Sequence, residues 1–189
     1  MQNLLGIVLC GGESKRMGSD KGLLTVEGTI WAKYIADKLS PFNIPVLFSV
    51  NELQIPEYSK HIGADKLIVD DVDVPGPLRG LLSVHEHYQT NNLLLLACDM
   101  LDMDEFTIAT LIKEYQKGSD HDFIVYQDED YAQPFCGIYK AHGLKTVLEK
   151  AELHMIHKFS LQKVLNEGNT KRLPIDNLTA FKNYNNSHI

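Results

Sequence analysis

The chain has 189 residues, a length typical of one compact domain. Apolar residues make up 44% and charged residues 23%, which is ordinary for a soluble globular protein and excludes global disorder. The net charge is −7, from 18 Lys and Arg against 25 Asp and Glu, so a general polyanion binder is disfavoured. A few well-placed cations could still hold a small phosphate ligand. Three scattered cysteines predict neither a disulfide framework nor a zinc site.

The amino-terminal segment has no basic stretch followed by a long apolar run, and nowhere does an apolar run approach the roughly 20 residues of a membrane helix. We therefore expect a cytoplasmic protein that binds neither membranes nor nucleic acid. No repeat or low-complexity linker divides the sequence, which predicts a single domain over residues 1–189.

Apolar runs alternate with amphipathic stretches along the chain. The runs predict strands at Leu4–Leu9, Val46–Val50, Leu67–Val69, Leu93–Cys98, Phe123–Tyr126 and Phe135–Tyr139. Helices are predicted at Ile30–Leu39, Leu78–Tyr88, after the N-cap Asp104, and near Leu144–Glu152 and Ser160–Leu165. This alternation indicates βαβ units and an α/β fold with a mostly parallel sheet. In such folds the ligand lies beyond the carboxyl ends of the strands, which directs attention to residues after 9, 50, 69 and 98.

The segment after the first strand reads LCGGESKRMGSDK, from Leu9 to Lys21. Its three glycines allow sharp turns and close backbone approach to a ligand, and exposed amides in such turns bind anions. Lys15, Arg16 and Lys21 add three cations within seven positions. Neither the dinucleotide fingerprint nor the Walker A spacing is present. These features indicate a site for a nucleotide polyphosphate, the alternative being a solvated basic loop.

Polar residues follow other predicted strands. Asp99 ends the most apolar strand, and a carboxylate there suits Mg²⁺, although it could instead cap the next turn. Asn51 follows the strand 46–50; its amide can both donate to and accept from a base or a ribose hydroxyl, or it is a plain turn residue. Three carboxylates, Asp70, Asp71 and Asp73, follow the strand 67–69 and form either part of the site or an acidic surface turn.

The segment LCGGESKRMGSDKGLL resembles the signature loop of the MobA-type molybdenum cofactor guanylyltransferases, L-x-G-G-x-S-x-R-M-G-x-D-K-x-L-L, with Cys10 in the place of the usual alanine. The resemblance implies that Leu9, Cys10, Gly11 and Gly12 contact the nucleotide, the first three through main-chain groups. It also implies that Arg16 and Lys21 neutralise the β- and γ-phosphates. Cys10 and Cys98 can lie close together, but no base accompanies either, so we do not expect nucleophiles.

Further motifs resemble the same family in the same order. Cys98-Asp99-Met100 resembles its [CS]-D-[MT]-P motif, with Leu101 replacing proline, and residues 76–80, GPLRG, resemble G-P-L-x-G. The family places a nucleotide-contacting Asp before the latter motif, and Asp70 is preferred while Asp71 remains possible. A guanine-nucleotide contact is implied for Asn51.

Two motifs resemble the acceptor side of the family's cleft. Residues 133–139, QPFCGIY, resemble Q-P-L-x-G-x-Y, which implies that Gln133 contacts the acceptor. Residues 181–185, FKNYN, resemble F-x-N-x-N, which implies that Asn183 and Asn185 face the metal or the acceptor.

The resemblance implies a Rossmann-like three-layer αβα nucleotidyltransferase fold and an enzyme that transfers GMP from GTP to the phosphate of molybdopterin or Mo-molybdopterin, releasing pyrophosphate. Arg16, Lys21 and Asp99 would be catalytic, with Mg²⁺ on Asp99, and molybdoenzyme-maturation proteins are the expected protein partners. The alternatives are a related enzyme that uses CTP or another phosphate acceptor, and a non-catalytic nucleotide-binding module. The Gly11–Gly12 pair favours the guanylyl branch, because cytidylyl relatives tend to have alanine before a single glycine.

Overall fold

A computed structural model describes residues 3–11, 20–155 and 159–184. The strands are β1 (Leu4–Leu9), β2 (Thr25–Val26), β3 (Thr29–Ile30), β4 (Val46–Val50), β5 (Leu67–Val69), β6 (Asn92–Ala97), β7 (Phe123–Asp128), β8 (Tyr131–Tyr139) and β9 (Thr170–Pro174). The α-helices are α1 (Trp31–Asp37), α2 (Ile55–Tyr58), α3 (Pro77–His87), α4 (Glu105–Gln116), α5 (Ala141–Glu152) and α6 (Leu161–Glu167). The predicted N-cap of α4 is confirmed, because the Asp104 carboxylate accepts from the Thr107 amide at 2.7 Å.

Seven strands form one sheet in the order β5-β4-β1-β6-β8-β7-β9. Only β8 runs antiparallel to its neighbours; the other pairs are parallel, as in the prediction of a mostly parallel sheet. At the carboxyl end of β1, Leu9 is in register with Ser49 of β4 on one side and with Ala97 of β6 on the other. The ends of these three strands therefore meet at one edge of the sheet.

Helices cover both faces of the sheet and complete the three-layer fold. Residues of α1 and α4 pack in one apolar core with Val8, whereas residues of α3, α5 and α6 pack in a second core with Ile7 and Leu9. Successive residues of a strand point to opposite faces, so a central parallel strand must be apolar throughout. Within the described ranges no helix has both the length and the apolar character that a membrane crossing would require.

Four of these elements are absent from the sequence prediction: the strands β2, β3 and β9 and the short helix α2. Thr25–Val26 and Thr29–Ile30 form a short hairpin around Glu27 and Gly28, which both have positive φ, so Ile30 belongs to a strand and the helix begins one residue later. Thr170–Pro174 is a parallel edge strand on β7. Its sequence, TKRLP, lacks an apolar run because an edge strand is partly solvated, and its proline is tolerated there.

The long strand β8 changes partners along its length. Its carboxyl half pairs with β6 up to Cys136, which faces Leu96, while residues 131–133 pair only with β7. Between the two halves the register against β7 shifts at Val125 and Tyr126. The strand therefore separates from β6 close to the point where β6 itself ends.

Helix α3 buries an ionisable side chain. His85 is 1% exposed, and within the described part of the chain its Nδ1 has no hydrogen-bond partner. Burial lowers the pKa of His85, because the low-polarity surroundings disfavour the imidazolium. His87, two positions on, faces outward and lies near Asp71.

We expect stability to fall as the pH falls below about 6.5, the ordinary pKa of histidine in an unfolded chain. Because the pKa of His85 is lower in the folded protein, the unfolded chain binds the proton more tightly. The contribution of neutral His85 to stability is therefore fully present above about pH 6.5 and is lost as the pH falls through the folded pKa. The slope from one such group reaches about 1.4 kcal/mol per pH unit. Urea unfolding between pH 5 and 8 should show that His85→Met flattens the decline, while the control His87→Met retains it. An unchanged slope in His85→Met would contradict this account.

Candidate active site

The candidate site lies where the connections of the sheet diverge. The chain passes from β1 to β4 and β5 on one side and then crosses to β6 on the other, and ligands of open α/β sheets bind at such a switch point. Two adjoining cavities of about 360 and 580 Å³ lie at this edge and share Leu9, Gly11 and Pro77 in their linings. The site is therefore formed directly by the end of β1 and the loops beside it.

An ion pair stands in the smaller cavity. The Lys21 ammonium donates to Asp99 Oδ2 at 2.9 Å, and the two side chains are 23% and 17% exposed. Asp99 follows β6 by two residues, and its carbonyl accepts from the Tyr184 amide at 2.9 Å. Asn183 and Phe135 line the same cavity. The structure thus brings together Lys21, Asp99 and Asn183, which the sequence placed in three separate motifs.

The residues around Asp99 fit a divalent ion that is completed by its substrate. In the described ranges no three His, Cys, Asp or Glu side chains converge as a self-sufficient metal cage. Magnesium commonly binds through one or two carboxylates together with water and substrate phosphate oxygens. A partly exposed carboxylate beside an ammonium group, at the mouth of a cavity, suits this mode of binding.

The larger cavity contains Asp70 and Asn51, at the ends of β5 and β4. Ser49 Oγ donates to Asp70 Oδ1 at 2.5 Å. Burial raises the pKa of the Asp70 carboxyl, while the Ser49 hydrogen bond and the charge of Arg79 act in the opposite direction. Asp71 is not part of this lining, and its carboxylate lies 3.8 Å from His87. Of the two aspartates that the sequence left open, Asp70 is the one that faces the cavity.

Two glycines enclose the Ser49–Asp70 pair. A Cβ at Gly11 would lie 2.1 Å from Asp70 Oδ2, and one at Gly80 would lie 2.1 Å from Ser49 Oγ and 3.1 Å from Asp70 Oδ1. Gly11 belongs to the signature loop and Gly80 to the GPLRG segment. Both segments therefore need glycine for a steric reason at the same carboxylate.

The main-chain groups at the start of the loop have protein partners. The amides of Cys10 and Gly11 both donate to the Ser49 carbonyl, at 2.9 and 3.0 Å, and the Cys10 carbonyl accepts from Gln54. The expectation that the amides of these residues are exposed for an anion therefore needs correction for this arrangement. Leu9, Cys10 and Gly11 line the cavity and determine its shape, while two of their amide donors hold β4.

Two buried cysteines lie at the site. Cys10 lies beside Cys98, and both are buried. Burial raises the pKa of Cys10 well above its ordinary value, which keeps the thiol protonated. A protonated, buried Cys10 is consistent with our expectation from the sequence that it is not a nucleophile.

Other predicted site residues have different outcomes. Gln133 of β8 pairs with Tyr126 of β7 and is not among the residues that line either cavity, whereas Phe135 of β8 lines the smaller one. Gly12, Arg16 and Asn185 lie outside the described residues.

Several residues at the site had no role predicted from the sequence. Ser49, Arg79, Gln54, Asp20 and Tyr58 received no role, although Asp20 stood within the quoted motif. A signal existed for Gln54, because Asn-x-x-Gln after a strand has the spacing of a capping box, and that box forms here around Asn51.

The chain is similar to several proteins of known sequence or structure. The family model of the MobA-like NTP transferase domain matches residues 6–170. A molybdenum cofactor guanylyltransferase from Pseudomonas putida is 32% identical over 84% of this chain and 80% of its own length. A molybdenum cofactor biosynthesis bifunctional protein from Synechocystis is 28% identical over 96% of this chain, which spans 51% of that protein's length.

Among solved structures, the molybdopterin-guanine dinucleotide biosynthesis protein A from Archaeoglobus fulgidus superposes with a TM-score of 0.76 at 25% identity. The match covers 95% of this chain and 91% of that one.

Alanine at either enclosing glycine should damage the larger cavity without unfolding the protein. Gly11→Ala and Gly80→Ala displace Asp70 or Ser49 and break their hydrogen bond, and the loss of such a bond to a charged group costs about 1.5–3 kcal/mol. We expect nucleotide affinity, measured by calorimetry, to fall at least about tenfold. Gly63→Ala is the matched control, because its Cβ also meets an aspartate oxygen, that of exposed Asp65, away from the site. Wild-type nucleotide affinity in both Gly11→Ala and Gly80→Ala would show that the close packing of these glycines on Ser49 and Asp70 is not needed for binding.

Proposed function

Because the chain belongs to the MobA-like NTP transferase family, we propose that it transfers GMP from GTP to the phosphate of molybdopterin or Mo-molybdopterin and releases pyrophosphate. The observation that carries this proposal is the Lys21–Asp99 pair at the switch point of the sheet, in a cavity that shares lining residues with the cavity of Asp70 and Asn51. The similarity to guanylyltransferases of 26–32% identity supports the choice of GTP and of the acceptor.

The two cavities suit the two parts of a nucleotide. In the larger one, Asp70 and Asn51 supply a carboxylate and an amide, and a carboxylate can accept hydrogen bonds from the donor edge of guanine. In the smaller one, Lys21 supplies a cation for phosphate oxygens. Leu9 and Gly11 line both cavities, so the nucleotide would lie across the end of β1.

The reaction needs positioning and charge neutralisation more than covalent help from the protein. An oxygen of the acceptor phosphate attacks the α-phosphorus in line, a new P–O bond forms, and the bond to the bridging β-phosphate oxygen breaks. Pyrophosphate leaves with the bonding electron pair, and the Lys21 ammonium would stabilise this developing charge. The Cys10 thiol remains protonated, because burial raises its pKa, and it takes no part.

Asp99 is the residue that would hold Mg²⁺, and Asn183 lies in the same lining. When bound, the ion adds positive charge that stabilises phosphate oxygens during the transfer. Lys21 would then exchange its contact with Asp99 for one with the polyphosphate, so that each member of the present pair gains a new partner of opposite charge.

A reconstituted assay tests this function. Purified protein with GTP, Mg²⁺ and molybdopterin should yield pyrophosphate and the guanine dinucleotide in equal amounts, detected by coupled phosphate release and mass spectrometry. Acceptor-dependent product with CTP but not GTP would overturn the choice of nucleotide. Absence of product with every nucleotide, from protein that binds GTP, would leave only a nucleotide-binding module.

Removing either member of the ion pair should abolish most turnover while the fold survives. Lys21→Ala and Asp99→Asn each delete one charged contact in a preorganised phosphate site, which commonly costs about 10²–10³ in kcat. Lys60→Ala, which breaks an exposed pair with Glu57, is the control and should retain full activity. Near-normal GMP transfer in both site variants would show that the site is wrongly assigned.

Guanine selectivity should appear in thermal shifts with GTP, CTP, ATP and UTP in the presence of Mg²⁺. A ligand that binds only the folded state stabilises it by about 2.7 kcal/mol at one hundred times its Kd. We expect a rise in Tm for GTP that exceeds the rise for the other three. Equal rises for all four would contradict selectivity for guanine.

A further inference from the structure

Gln54 links both ends of the candidate nucleotide-binding loop. Its Nε2 donates to the Cys10 carbonyl at 3.1 Å and to Asp20 Oδ2 at 2.5 Å, so one amide group contacts the residues that precede and follow the glycine-rich segment. Its Oε1 accepts from the Asn51 amide at 2.8 Å. Every hydrogen-bonding atom of this side-chain amide is in use. The orientation is determined, because the reversed amide would place an oxygen against two acceptors.

Asp20 has a carboxylate held entirely by neutral donors in these contacts. Tyr58 donates its hydroxyl to Oδ1 at 2.9 Å, and the Gly22 amide donates to the same oxygen at 3.0 Å. Tyr58 is fully buried, and burial raises the pKa of its hydroxyl so that it remains a donor. Lys21 is the next residue, and its ammonium reaches Asp99. The contacts of Asp20 therefore fix the position of the Lys21 backbone, from which the side chain extends to Asp99.

Asn51 is held by the same glutamine from the other side of the site. The side-chain oxygen of Asn51 accepts from the backbone amide of Gln54 at 3.1 Å, which completes the capping box between the two residues. Asn51 lines the larger cavity, whereas Asp20 and Lys21 line the smaller one. The two cavities are thus connected through one short turn, residues 51–54.

We propose that Gln54 is a positioning residue for nucleotide transfer, acting through Asp20 on Lys21 and through the capping box on Asn51. This inference rests on the proposed function of the site. It assigns a role to Gln54 and Tyr58, which lie outside the signature loop, and to Asp20 within that loop; together they hold the lysine and the asparagine at a constant separation. The Lys21 ammonium and the Asn51 amide are then already placed for the phosphates and the nucleoside of a nucleotide, and binding does not have to order these side chains.

The test compares two substitutions at one position. Gln54→Met retains the length of the side chain and removes both donors, whereas Gln54→Glu retains the shape and places an oxygen against Asp20 and the Cys10 carbonyl. Gln127→Met is the matched control, because Gln127 also uses its amide as donor and acceptor, to Glu129 and Arg172, on the exposed side of β7. Calorimetry with Mg²⁺–GTP between pH 5.5 and 8.5 measures affinity, and thermal unfolding without nucleotide measures the fold.

We expect Gln54→Met to weaken GTP binding by about ten- to a hundredfold at every pH, with the control unchanged. Gln54→Glu should match that loss at pH 8.5 and recover at least threefold by pH 5.5, because a protonated carboxyl can again donate to Asp20. The ionisable groups gathered around position 54 are Asp20, Tyr58 and Cys10, and burial raises the pKa of the last two, which keeps them neutral over this range. A contact that served the fold alone would lower the midpoint of thermal unfolding with the same pH profile, so we expect that midpoint to change little where the affinity falls.

The outcomes separate this inference from the function on which it rests. GTP affinity within twofold of wild type in Gln54→Met, or a Gln54→Glu profile as flat as that of Gln54→Met, would overturn the positioning role. If Gln54→Met does not fold, Tyr58→Phe removes one donor to Asp20 and should weaken GTP binding at least threefold, and an unchanged affinity would also overturn it. Failure of the wild-type protein to bind GTP would refute the proposed function instead.

Discussion

The parallel pairing of β1 with strands on both sides is the constraint on which the site depends. The register aligns Leu9 with Ser49 and with Ala97, so residues that lie some 40 and 90 positions apart in sequence emerge side by side. Parallel strands end at the same edge, where the loops that follow them are free of the sheet. The charged and polar side chains of these loops can therefore approach each other, while the apolar strands beneath keep the edge rigid.

Burial and charge have been matched at this edge. Asp70 is partly desolvated, yet it accepts from Ser49 and lies in the field of Arg79, which limits the cost of a carboxylate in an apolar setting. Asp99 and Lys21 neutralise each other. Asp20 receives three donors of no net charge, of which Tyr58 is buried. The site thus contains three carboxylates with different partners: a hydroxyl for Asp70, an ammonium for Asp99 and neutral amide and phenol donors for Asp20.

Much of this arrangement follows from the sequence, and the remainder follows from contacts that a linear pattern does not contain. Strands β1, β4 and β5 have the predicted bounds, because buried parallel strands are continuous apolar runs between turns. The rule that ligands lie beyond strand ends led to Asp99 and Asp70. The edge strand 170–174 was missed because its residues are mostly polar. Gln54 and Tyr58 were missed because their partner, Asp20, is more than thirty positions away.

The end of the pairing between β6 and β8 has a stereochemical consequence for the proposed reaction. Beyond Cys136 the strand β8 continues past the end of β6, paired only with β7, so Phe135 borders Asp99 on the side away from β1, and Asn183 lines the same cavity. The nucleotide would lie on the β1 and β4 flank of the same carboxylate. An in-line displacement inverts the phosphorus centre and requires the entering and departing oxygens at opposite apices. The strands β1 and β8, on opposite sides of β6, would give each of them its own side from which to approach or leave.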